Sequence, residues 1–95
     1  MILAAAIKIH IDKTDKDVVL CGCRHGDIFK QLQDLGFDPK DGYKEIEQGF
    51  ITHRNEFLDR EEAFYHAKEC GQLSAKIIYD REGKNSTSLI SEDLW

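Results

Sequence analysis

The feature that most constrains this chain is the alternation Ile7-Lys8-Ile9-His10-Ile11-Asp12. An apolar residue at every second position is the period of a strand buried on one face, and no helix presents that pattern. The run extends back through Met1-Ile2-Leu3-Ala4-Ala5-Ala6, so residues 2–11 are read as a first strand. Asp12 to Asp17 is a polar turn and Val18-Val19-Leu20-Cys21 a second strand, giving an antiparallel hairpin. The apolar start is no signal peptide core: it lacks a basic leader and Lys8 interrupts it early. No targeting or membrane-spanning segment is expected, which points to a soluble, intracellular protein.

Helical spacing follows. Ile28, Leu32 and Leu35 form one stripe in residues 26–35, and Gly36 stands where helices end in a left-handed residue. Residues 37–44 carry Asp-Pro and Asp-Gly and are read as loop. Ile46 to Thr52 reads as a third strand, 53–56 as a turn into Phe57-Leu58. Asp59 and Glu62 then have the spacing of a capping box. Ala63, Phe64, Ala67 and Cys70 form the inward stripe of a second helix, and Gly71 stops it. Ala75 to Tyr79 reads as a short strand or an ordered connection, and Asp80 to Ser88 as a flexible polar stretch. The closing Leu94-Trp95 is too apolar to dangle and is expected to dock. The expected fold is a single α+β domain over residues 1–95, a small antiparallel sheet with two helices. With 95 residues the core is marginal, so the domain is expected to be oligomeric.

Charge sets limits on partners. Thirteen Lys and Arg against 18 Asp and Glu leave a net charge of −5, which argues against a whole-surface attraction to DNA, RNA duplex or membrane. An anionic ligand would need a local basic pocket. Arg24 and His25 offer one, where the second strand hands over to a helix: helix-start amides favour an anion and the Arg fork suits phosphate oxygens. The competing reading is a surface Arg and a solvated His flanking a turn. Gly49 would let a ligand approach the backbone, Phe50 or Phe57 could stack on a base, and Arg60 opens the second helix. Against this stand two Phe packed in the core and an Asp59 that only caps. Cys21, Cys23 and His25, with Cys70 or His66, sketch a metal site with too tight a spacing; the competing reading is small buried residues at a strand end. Three Cys make no disulfide framework and read as reduced thiols. No nucleophile–base motif places a catalytic pair. The expectation is a protein that is not an enzyme, with no cofactor and no metal.

The AAIK strand, the GCRHGDIF join, the QGFITHRNEFLDREEA block, ECGQL and the closing LISEDLW together resemble a family of small phage proteins, the anti-Thoeris sponges of the first type. The resemblance covers most of the chain and is weakest at 37–44 and 74–88. It implies an anti-defence protein of the infected bacterial cytoplasm. Such a protein binds cyclic ADP-ribose isomers and cyclic oligonucleotides without cleaving them, and so blocks Thoeris- and CBASS-type effectors. It further implies a homo-oligomer, with dimers assembled into a hexamer. Carried over by position, Arg24 and His25 would contact phosphate, Phe50 would stack on a base, and Asp59 and Arg60 would line the pocket. Gly49, Thr52 and Phe57 would be the remaining ligand-binding positions of that block. The tail Ser91-Glu92-Asp93-Leu94 would complete a site or an interface. The pattern departs at His53-Arg54-Asn55-Glu56, where Glu56 stands at an anticipated phosphate contact and Arg54 is the residue to replace it. The alternative is a structural or protein-interaction module that inhibits a host factor through a surface around Trp95.

Overall fold

The structure, a computed structural model, describes residues 1–38, 40 and 42–95. Strand β1 (Ile2–Ile11) pairs antiparallel with β2 (Lys16–Gly22) on one side and with β3 (Tyr43–Thr52) on the other, and β3 pairs with the short β4 (Phe57–Asp59). The sheet order is therefore β2-β1-β3-β4. The alternation of β1 decides which face is covered. Ala5, Ile7 and Ile9 are fully buried, and their cross-strand partners Phe50, Leu20 and Val18 join the same core. Two bulges interrupt the β1–β3 ladder and leave Leu3 and Ile46 without partners, which is why both apolar side chains are half exposed. The opposite face of the sheet carries Lys8 above the Phe57 ring, 4.8 Å from its centroid.

Three helices cover the core face. Helix α1 (His25–Asp34) contributes Ile28 and Leu32, and α2 (Arg60–Glu69) contributes Ala63, Phe64 and Ala67. Helix α3 (Ala75–Gly83) packs Ile77 and Ile78 against them. Each helix ends alike: Gly36, Gly71 and Asn85 are left-handed, and the residue after each returns its N–H to a carbonyl five residues back. Phe37 bonds Leu32, Gln72 bonds Ala67, and Ser86 bonds Arg81, at 2.8–2.9 Å.

The single α+β domain with an antiparallel sheet stands as expected, with corrections. Among the described residues there are three α-helices, not two. Residues 75–83 form α3 rather than the short strand or ordered connection expected over 75–79, because the Ser74 hydroxyl caps the Ile77 N–H, 3.2 Å away, and Asn85 supplies the stop. The Ile-Ile-Tyr run is too short to distinguish the two periods. The polar stretch accordingly begins later than Asp80. Strand β3 starts at Tyr43, inside the expected loop 37–44; the part of that loop at Pro39 and Asp41 lies outside the described residues. Cys21, Cys23 and Cys70 are free and exposed, not buried: the first pairs with Ala6 on the open face and the last caps the end of α2. Leu94 docks half-buried against the core, while Trp95 remains 46% exposed.

Candidate functional site

The site is built where β2 ends and α1 begins. Arg24 takes the N-cap position of α1 in extended backbone, and its own N–H donates to the Asp27 carboxylate at 3.2 Å. A guanidinium accepts no hydrogen bond, so no side chain caps the first turn of α1. His25, the first helical residue, turns inward: its Nε2–H donates to the Gly49 carbonyl of β3 at 2.8 Å, and its ring meets Phe50 edge-on at 5.2 Å. Burial pushes the imidazole below its ordinary pKa; the bond to Gly49 opposes this and the Arg60 charge adds to it. His25 is therefore a neutral pin between α1 and β3 at physiological pH.

The second cation arrives from the other helix. Arg60 opens α2 after the turn of β4, with Nη1 on the Leu89 carbonyl at 2.8 Å and Nη2 on the Gln48 side-chain oxygen. Arg24, His25 and Arg60 thus share a cleft of about 320 Å³, together with Asp27 and the strap Ile90-Ser91-Glu92. The strap is bound by ion pairs. Arg24 reaches Glu92 Oε1 at 2.9 Å and the Trp95 carbonyl oxygen at 2.8 Å, and Arg81 pairs with Asp93 at 2.7 Å. A hydrogen bond from its own backbone N–H, then the contact with Arg24, hold the Glu92 carboxyl below the usual carboxylate range. Arg60 also walls a wider groove of about 680 Å³, with Glu47, Glu61, Asp59 and residues 85–88. That groove is larger, but it sets one guanidinium against three carboxylates, whereas the cleft sets two against two.

Three of the nine expected residues meet in the cleft: Arg24, His25 and Arg60. Asp59 is next to them, its Oδ1 accepting from the Glu62 N–H at 2.7 Å while Glu62 accepts from the Asp59 N–H at 3.1 Å. The rest lie elsewhere. Phe50 is fully buried in the core and offers no stacking face. The space over Gly49 is filled, since a Cβ there would lie 2.7 Å from Phe57 Cζ and 2.1 Å from the Leu58 carbonyl oxygen. Gly49 serves close strand packing, with Phe57 covering it. Thr52 is buried and its hydroxyl accepts the N–H groups of Arg54 and Glu56, each at 3.2 Å, which shapes the β3–β4 turn. Arg54 is exposed on that turn, outside the cleft lining. Gln48 and Asp27 escaped sequence reading; an amide in a strand and an acid in a first turn carry no signal of their own. Among the described residues no group of three His, Cys, Asp or Glu is placed to hold a metal ion, and no helix is long and apolar enough to cross a membrane.

The fold and cleft describe a small α+β protein with an anion-compatible helix start under a C-terminal strap. Over residues 1–95 the chain matches the Phage T4 y16D protein family, and it belongs to that family of phage proteins. No curated protein and no solved structure matches it.

Proposed function

We propose that this phage protein is a non-catalytic sponge that binds and sequesters a cyclic nucleotide immune signal, a cyclic ADP-ribose isomer or a cyclic oligonucleotide, in the cytoplasm of the infected bacterium. Thoeris- or CBASS-type effectors are then deprived of their signal. The observation that carries this reading is the convergence of Arg24, Arg60 and the uncapped start of α1 on one cleft in a chain of net charge −5. Guanidinium forks and helix-start amides are the groups that grip phosphate. Nanomolar sequestration needs about −12 kcal/mol, more than one open cleft on a domain this size supplies. A homo-oligomer, dimers assembled into a hexamer, would close the cleft with a second subunit and bring in the aromatic surface that the buried Phe50 does not provide. Binding without cleavage fits a cleft whose imidazole is already committed to a backbone carbonyl.

The test is a thermal-shift and calorimetric screen of cyclic nucleotides on a preparation whose native mass is measured, followed by heat denaturation. Stabilisation, an oligomeric mass and recovery of intact nucleotide are expected; a hydrolysed product points to an enzyme. The second reading, an interaction module inhibiting a host factor, is favoured by Trp95, a large ring left half exposed beside the cleft. Indifference to every nucleotide, with a host protein bound and Trp95→Ala releasing it, would decide for that reading.

A further inference from the structure

The strap over the cleft is anchored at Leu89, Ser91 and Asp93 and presents Glu92 and Trp95 outward. Leu89 and Ser91 are buried, and Arg81 holds both the Ser88 carbonyl, at 2.8 Å, and the Asp93 carboxylate. The Glu92 carboxylate is 60% exposed, yet it fills one arm of the Arg24 fork while the Trp95 carbonyl oxygen fills the other. The group that an incoming phosphate would use is thus already occupied by an anion of the chain itself.

We propose that Glu92 is a built-in competitor for the cleft and a specificity-determining residue, which selects ligands carrying two linked phosphates over single-charge anions. The proposal rests on the ligand-binding reading above and concerns which anions that site accepts. The physics is one of exchange. A tethered carboxylate faces Arg24 at an effective concentration in the millimolar range. A free carboxylate that displaces it exchanges one single charge for another and loses its own translational freedom. A diphosphate brings more charge than it displaces, and has oxygens for Arg60 and the α1 amides as well as for Arg24. Letting go of Arg24 moves only the Glu92 side chain and Trp95, while Leu89, Ser91, the Asp93–Arg81 pair and Leu94 stay in place, so the cleft opens without uncovering the core. Trp95, the one tryptophan of the chain, moves with that release and reports it.

Pyrophosphate, inorganic phosphate and acetate are titrated into the wild-type protein and Glu92→Gln by calorimetry, with Trp95 emission followed in parallel. The wild type is expected to take pyrophosphate with a saturating emission change and to ignore acetate. Glu92→Gln is expected to bind pyrophosphate about two- to fivefold tighter, the span that an exposed ion pair is worth, and to discriminate less among the three anions. Its exposed position means that the fold survives the change, which the melting temperature verifies. Equal or weaker pyrophosphate binding by the variant, saturation without a Trp95 response, or no pyrophosphate binding by either protein overturns the proposal. If a cyclic nucleotide binds both proteins equally, the competitor falls and the sponge reading stands. If pyrophosphate behaves as expected and every cyclic nucleotide is refused, the sponge reading falls and the competitor stands.

Discussion

Helices α1 and α2 both begin at the cleft, and the chain gives their N-cap positions opposite charges. At α2 the Asp59 and Glu62 carboxylates reciprocally satisfy backbone N–H groups and complement the positive end of the helix dipole. At α1 the N-cap residue is Arg24, a cation at the positive end, which costs stability rather than adding it. One start is closed by the chain's own anions. The other has a single carboxylate, Asp27, which accepts the Arg24 N–H, while Glu92 pairs with the Arg24 side chain rather than with the helix amides. The difference separates a start closed by a reciprocal capping box from one with a single carboxylate, even though both carry an Arg.

Substitutions that touch the shared frame should strike both starts hardest. Gly49→Ala places a Cβ against the Leu58 carbonyl oxygen and prises β4 from β3, so a loss of about 3 kcal/mol or more is expected in urea denaturation. A loss under about 1 kcal/mol would show that the strands separate readily there. His25→Ala orphans the Gly49 carbonyl and removes the ring against Phe50; about 2 kcal/mol is expected by the same measurement. Asp59→Ala removes the α2 cap at about 1 kcal/mol, or a melting temperature lower by roughly 4–8 °C. Arg24→Gln should change stability by no more than about 0.5 kcal/mol while abolishing pyrophosphate binding. If it destabilises as much as Asp59→Ala and leaves binding intact, the contrast between the two helix starts is broken.

The smallest effect concerns two histidines that titrate in opposite senses. His25 has its pKa lowered by burial, so the unfolded chain binds the proton better, and stability falls as pH drops below about 6.5. His10 has its pKa raised, chiefly by its hydrogen bond to Asp17 at 2.7 Å, with Asp15 at 3.1 Å adding to it. Its contribution is present below about pH 6.5 and is lost as pH rises through the raised value. The melting difference between wild type and His10→Gln should therefore be larger at pH 5.5 than at pH 8. A difference independent of pH would separate the hairpin from this titration.

Features governed by near neighbours were legible in the residues. The β1 alternation, the Asp59–Glu62 box and the Gly36 and Gly71 stops each depend on groups at most five residues apart, and local chemistry settles them. Helix α3 was harder, because Ser74 and Asn85 are its only strong signals and its apolar run is short. Phe50 illustrates the limit in the site: an aromatic after a strand glycine suits a stacking surface as well as a core, and only its pairing opposite Ala5 buries it. The exposure of Cys21 and of the bulged Leu3 and Ile46 likewise depends on the sheet register.

By itself the amino-acid order determined an antiparallel α+β domain, where two of its three described helices begin and end, and which residues were candidates to grip an anion. Tertiary structure alone decided that Arg24 and Arg60, 36 positions apart, face one cleft and that Glu92 pairs with Arg24. Turns and caps are short-range hydrogen bonds that a few residues specify. The meeting of two helix starts under a strap depends on strand order and on the burial of Leu89, and no local pattern encodes either.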